Sequence, residues 1–218
     1  MSGDSDDDSP NNGDLTILKL GGSVITDKDT PETVDDDALD RVVSAISDAG
    51  STGGDGDSAT STAGGGLIVV HGGGSFGHVH AAEHGVSTTE GSHDPAAVTA
   101  IHGAMQRLNG VVVDRPQAAS IDAVPVHPLS AVARDEQAEL SLPTGAVQTL
   151  LGEGFVPVLH GDVVAHAGEG VTVLSGDELV TGLADSLGAR RVGLCSTAPG
   201  VLDADGDVIR EGHEFHSM

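Results

Sequence analysis

Apolar residues in this chain fall into two patterns: short continuous runs, and longer stretches where they recur every three or four positions. Six runs, at 15–20 (LTILKL), 67–70 (LIVV), 124–127 (VPVH), 156–160 (VPVLH), 171–174 (VTVL) and 191–195 (RVGLC), predict strands. Each is short and bounded by turn-forming residues, and 191–195 reads as buried. Between them lie amphipathic stretches that predict helices. Over 35–48, Leu39, Val42, Val43 and Ile46 share a face behind Asp35, Asp36 and Asp37, whose charge suits a helix N-terminus. Over 95–113, Val98, Ile101, Met105, Leu108 and Val112 alternate spacings of three and four. Shorter helices are predicted at 144–152 (Val147, Leu150, Leu151) and 177–188 (Leu179, Leu183, Leu187).

Apolar strands alternating with amphipathic helices predict an α/β fold with helices on both faces of a mainly parallel sheet. Ligands of such sheets gather at the carboxyl ends of the strands. Two polar stretches stand outside this pattern. Residues 1–13 predict a disordered acidic tail, and the glycine- and serine-rich 50–66 a flexible loop. The 14–218 remainder reads as a single domain, a length sufficient for one α/β core.

Charge narrows the partners. With 34 acidic against 9 basic residues the net charge is −25, which argues against nucleic acid or an anionic membrane. Scarce lysine and aromatics beside 32 glycines suit a cytoplasmic protein working in high salt, where screening weakens carboxylate repulsion. No apolar run has membrane-spanning length, and the N-terminus lacks signal-peptide character. The single cysteine, Cys195, excludes an internal disulfide and a cysteine-based zinc site. Its apolar surroundings suggest a buried structural thiol.

The candidate chemistry lies where strands end. Three glycine turns each follow a predicted strand: Gly21-Gly22-Ser23, Gly72-Gly73-Gly74-Ser75, and Gly161-Asp162 after His160. Glycine lets a backbone approach a ligand closely, and consecutive amides bind phosphate oxygens. The chain's only two lysines, Lys19 and Lys28, flank the first turn. As compact cations they suit phosphate oxygens, and phosphoryl transfer needs chiefly positioning and charge neutralisation. No G-x-x-x-x-G-K-[ST] string or convincing dinucleotide fingerprint occurs. Within HGGGSFGH, Gly73-x-Ser75-x-Gly77 formally matches a hydrolase nucleophile elbow. It overlaps the oxyanion-hole-like His71-Gly72-Gly73-Gly74, so one loop would serve two separate jobs, and this reading is set aside. His78, His80 and His84 have spacings that can converge on a metal, but without a partner motif they read as solvent-facing residues at a helix start.

Taken together and in order, ILKLGGSVITDK, VHGGGSFGH, VPVLHGDVV, LSGDELV and GVLDADGDVI resemble the amino-acid-kinase family. Within it they most resemble the isopentenyl phosphate kinases. The resemblance implies an αβα sandwich, with a substrate lobe over about 14–160 and a partial nucleotide lobe over about 161–218. It implies transfer of the γ-phosphoryl of ATP, with Mg²⁺, to isopentenyl phosphate in a homodimeric enzyme. By position, Lys19, Leu20, Gly21, Gly22, Ser23 and Gly74 match the ATP-binding residues, and Lys28 the second motif lysine. Gly73, His78 and Gly161 match the substrate site, His78 as donor to the substrate phosphate. Asp177 matches the carboxylate that orients the lysines. Lys19, Lys28, His78 and Asp177 form the implied catalytic set, with no protein metal ligands. Where the family carries T-D-V-D-G-V, this chain reads Ser196-Thr197-Ala198-Pro199-Gly200-Val201. It also ends before the family's T-G-G-M-x-x-K stretch, so a truncated C-terminal lobe is expected. Two alternatives stay open: a ligand-binding fragment without turnover, and a kinase for another small phosphate, phosphonate or carboxylate.

Overall fold

The computed structural model describes residues 15–51 and 66–197. The expected acidic tail, most of the expected loop over 50–66, and GVLDADGDVI lie outside the described residues. Five parallel strands form the central sheet in the order β3-β6-β2-β1-β9. They are β1 (Thr16–Leu20), β2 (Leu67–His71), β3 (Ala123–Pro125), β6 (Val156–His160) and β9 (Arg191–Cys195). A smaller sheet, β5-β4-β7-β8, comprises β4 (Ala133–Arg134), β5 (Leu140–Ser141), β7 (Asp162–His166) and β8 (Gly170–Leu174).

Alternation along the inner strands divides the core in two, because successive side chains leave a strand on opposite faces. Leu20, Val69 and Val158 face α2 (Asp36–Ser51), α3 (Gly74–Glu83) and α4 (Pro95–Ala118), burying Leu39, Phe76, Met105 and Leu108. Ile17, Ile68, Val70 and Leu159 face α5 (Gly145–Gly152) and α6 (Gly176–Leu187), burying Val147, Leu179 and Leu183. Both sheet faces are thus covered, giving the expected αβα sandwich. The cores of β2 and β6 are uniformly buried, which is why they read as continuous apolar runs.

Three differences from the sequence reading have local causes. Helix α4 runs on to Ala118, with Pro116 buried inside its last turn; Asp94 caps its start by accepting from the Ala96 amide. Strand β7 follows β6 after Gly161 alone, so it was hidden in what read as a glycine turn. Strand β9 is not buried as expected: Val192 is 45% and Leu194 54% exposed. Among the described residues β9 pairs only with β1, as an edge strand, and Cys195 is half-buried rather than enclosed.

Candidate functional site

Register aligns the ends of three strands. Leu20 pairs with His71, and His71 with His160, so Gly21, Gly72 and Gly161 emerge side by side. Their amides continue the ladder: Gly21 N–H donates to the Cys195 carbonyl, Gly72 to Leu20 and Gly161 to His71. Beyond them the first two turns meet backbone to backbone. A Cβ on Gly22 would stand 2.1 Å from the Gly74 nitrogen, so no larger residue fits without moving the turns apart. Gly74 also has φ of +48°, a conformation side chains disfavour. Thr26, following the short helix α1 (Gly22–Ile25), staples the contact. Its hydroxyl donates to the Gly22 carbonyl at 2.8 Å and accepts from the Ser75 amide at 3.0 Å.

Over these turns opens a cavity of about 200 Å³. Its lining is polar at Lys19, the glycine turns, His78, and Ser175, Gly176 and Asp177 at the start of α6. It is apolar at Ala81, Ile101, Met105 and Val173, of which Ala81, Ile101 and Val173 belong to one apolar cluster. Lys19 forms an ion pair with Asp177. Two helix N-termini border the cavity. Helix α6 carries a capping box, in which the Ser175 hydroxyl accepts from the Glu178 amide and the Glu178 carboxylate from the Ser175 amide. Helix α3 begins at Gly74. Both project partial positive charge, and together with Lys19 they favour an anion there.

Of the residues singled out in the sequence, Lys19, Gly21, Gly22, Gly73, His78, Gly161 and Asp177 line this one cavity. Leu20 points into the core and Gly74 is buried behind the turn. Lys28 does not line the cavity; with Ser23 it borders a neighbouring open depression formed by residues 26–29 and 33–37. That segment is strapped down by Glu32, which accepts from His80 Nε2 at 2.7 Å and from Arg107 at 2.8–3.0 Å. These two donors hold the Glu32 carboxyl below its ordinary range. His80 is therefore a partner of Glu32. Among the described residues no cluster of metal-binding side chains occurs.

Sequence reasoning missed a group beneath the turns. His71 and His160 are fully buried, stacked with centroids 5.5 Å apart, and His127 and His102 continue the cluster. His102 Nδ1 lies 2.8 Å from the buried Asp162 carboxylate, which also lines the cavity. Burial pushes Asp162 up to about 6, against the pull of His102. Burial lowers His71, His127 and, most strongly, His160. The only sequence signal was repetition: HG closes both β2 and β6.

The family model described as "Amino acid kinase family" matches residues 14–218. The chain is 58% identical over 197 residues to the isopentenyl phosphate kinase of Haloferax volcanii, covering 90% of this chain and 75% of that protein. It is 34% identical over 192 residues to the same-named enzyme of Methanocaldococcus jannaschii, covering 86% of this chain and 71% of that protein. An X-ray structure of an isopentenyl phosphate kinase, 32% identical, matches with a TM-score of 0.74 over 86% of this chain and 73% of that one. No helix among the described residues is long and apolar enough to cross a membrane.

Proposed function

This chain belongs to the amino acid kinase family, and from that premise we propose that it transfers the γ-phosphoryl group of ATP to isopentenyl phosphate, yielding isopentenyl diphosphate. The observation that carries the reading is the mixed lining of the cavity. One lysine, two helix N-termini and three glycine turns border it, and Ala81, Ile101, Met105 and Val173 give it an apolar wall. A phosphate with a short apolar tail matches both kinds of lining.

Two anionic phosphates must approach against mutual repulsion, so the reaction needs fixed positive potential and alignment. In this reading Lys19, held by Asp177, neutralises charge on the nucleotide phosphates beside Gly21, Gly22 and Ser23. His78 donates to the substrate phosphate, flanked by Gly73 and Gly161. Lys28 stabilises charge on the transferring group from the neighbouring depression, which is continuous in chain with the first turn. Mg²⁺ would reach the site on the nucleotide, since it binds largely through phosphate oxygens and water and needs no protein cage. Its contribution is charge neutralisation between the phosphates. The reading extends to a homodimer in the cytoplasm, supported by the family resemblance and by the acidic composition; sedimentation in molar salt tests the first.

ADP release measured in molar potassium chloride, with ATP and isopentenyl phosphate, tests the reaction. Turnover dependent on isopentenyl phosphate is expected. Substrate binding without turnover would leave a binding protein, and faster turnover with a small carboxylate or phosphonate would reassign the substrate. His78→Ala is expected to raise the KM for isopentenyl phosphate well above any change in the KM for ATP.

A further inference from the structure

His71 lies outside the cavity lining, fully buried at the end of β2 directly below the second glycine turn. Its ring turns onto its own chain: Nδ1 is 3.1 Å from the Gly72 carbonyl oxygen. His160, its register partner at the end of β6, makes the same contact with the Gly161 carbonyl at 2.9 Å. A carbonyl only accepts, so each Nδ1 carries the proton. Enclosure disfavours the charged ring at both sites. Each Nε2 is then a bare acceptor. That of His160 receives a hydrogen bond from His127 Nδ1 at 2.9 Å. That of His71 sits 3.0 Å from the Asn109 Oδ1 position; two acceptors cannot bond, so with the proton on Nδ1 the amide is turned over and its NH₂ group faces the ring. This orientation also gives a partner to the Asn109 Nδ2, which is otherwise buried without one.

The tethered oxygen has a consequence one residue further on. The Gly72 carbonyl and the Gly73 N–H belong to one planar peptide and point in opposite directions. Pulling the oxygen down onto His71 turns the Gly73 N–H away from the ring. Gly73 lines the cavity, and among the described residues its N–H has no hydrogen-bond partner. Glycine peptides rotate easily, so without the tether this amide would have no fixed direction. We propose that His71 is a positioning residue: its Nδ1–H holds the Gly72–Gly73 peptide so that the Gly73 N–H faces the phosphate of the acceptor substrate. His160 holds the adjoining Gly161–Asp162 peptide by the same contact.

The substrate named here rests on the kinase reading above, so the test has one arm independent of it. Nitrogen-15 NMR of the histidine-labelled protein should show His71 neutral, with the proton on Nδ1; a proton on Nε2 overturns the proposal. In the second arm, asparagine places its amide nitrogen where Nδ1 stood, whereas glutamine reaches toward Nε2. His71→Gln is expected to raise the KM for isopentenyl phosphate about tenfold, the scale of one lost hydrogen bond. The KM for ATP should move less than about twofold, and His71→Asn should recover most of the loss. Equal damage from both variants, or equal rises in both KM values, would make His71 a packing residue only. Should the wild type not turn over isopentenyl phosphate, the kinase reading fails, and binding of inorganic phosphate by the same three proteins decides the matter. There His71→Gln should bind more weakly than wild type and His71→Asn nearly as well; no difference between Gln and Asn overturns the proposal.

Discussion

At the residue scale, the site is built from small groups whose value is the space they leave. Gly22 and Gly74 let two turns touch through their backbones, and a methyl group has nowhere to go at either. Gly22→Ala is expected to destabilise the protein by about 3 kcal/mol, the upper range for overpacking, read from urea unfolding midpoints. An unchanged midpoint would mean the turns separate freely. Lys19 and Asp177 present a different case, a pair at the mouth of the cavity with the carboxylate largely exposed. Asp177→Asn keeps the shape and removes the charge that holds Lys19. The expected outcome is a fall in kcat larger than the rise in KM for ATP, checked by steady-state kinetics. The places of these residues around one cavity were legible as motifs. The contacts of Thr26 and His71 were not, because a lone threonine or histidine has no spacing to betray what it contacts.

At the element scale, helix starts do more than begin helices. The capping box at Ser175 fixes where α6 begins, and with it the position of Gly176 and Asp177 beside Lys19. Ser175→Ala should cost about 1 kcal/mol of stability, the usual value of a lost N-cap. It should also lower turnover, since the helix start itself borders the cavity. The Glu32 strap acts between elements, joining the segment that carries Lys28 to α3 and α4 through His80 and Arg107. Glu32→Ala should lower the melting temperature only slightly, because ion pairs that remain partly open to water contribute little. It should reduce turnover, as Lys28 loses its fixed approach; an unaffected rate would separate Lys28 from the chemistry. Helices α2, α4 and α6 were readable from periodicity because each buries one face. Strand β7 was not, since it follows Gly161 directly and merged with the turn, and β4 and β5 were not, since two residues carry no period.

For the whole molecule, charge and buried histidines set the conditions of stability. His71, His127 and His160 are held below the ordinary imidazole range by burial. The unfolded chain therefore takes up protons near pH 6.5 that the folded one refuses, and stability is lost as pH falls below that value. Asp162 opposes this: raised from 3.8 to about 6, it retains a proton that the unfolded carboxyl releases, so its contribution weakens folding as pH rises across that window. Three imidazoles outweigh one carboxyl, and urea unfolding at pH 5.5 should show lower stability than at pH 7.5. His71→Asn, which donates but cannot titrate, should narrow the gap. A net charge of −25 adds a salt dependence. Raising ionic strength from 0.1 to 1 M shortens screening from about 10 to about 3 Å, so the melting temperature should climb over that range.

What the sequence by itself determined was local and periodic. The positions of the longer strands and helices, the glycine turns at strand ends, the acidic surface and the family all follow from which residue types occur at which spacing. Tertiary structure alone decided what meets across the chain. Parallel register put Leu20, His71 and His160 level with one another, so three distant turns became one rim. The backbone contact of Gly22 with Gly74 then left Lys19 facing the cavity and Lys28 beside it in the neighbouring depression. The physical reason is that hydrogen-bond register and close packing couple residues far apart in sequence, and neither leaves a trace in any local pattern.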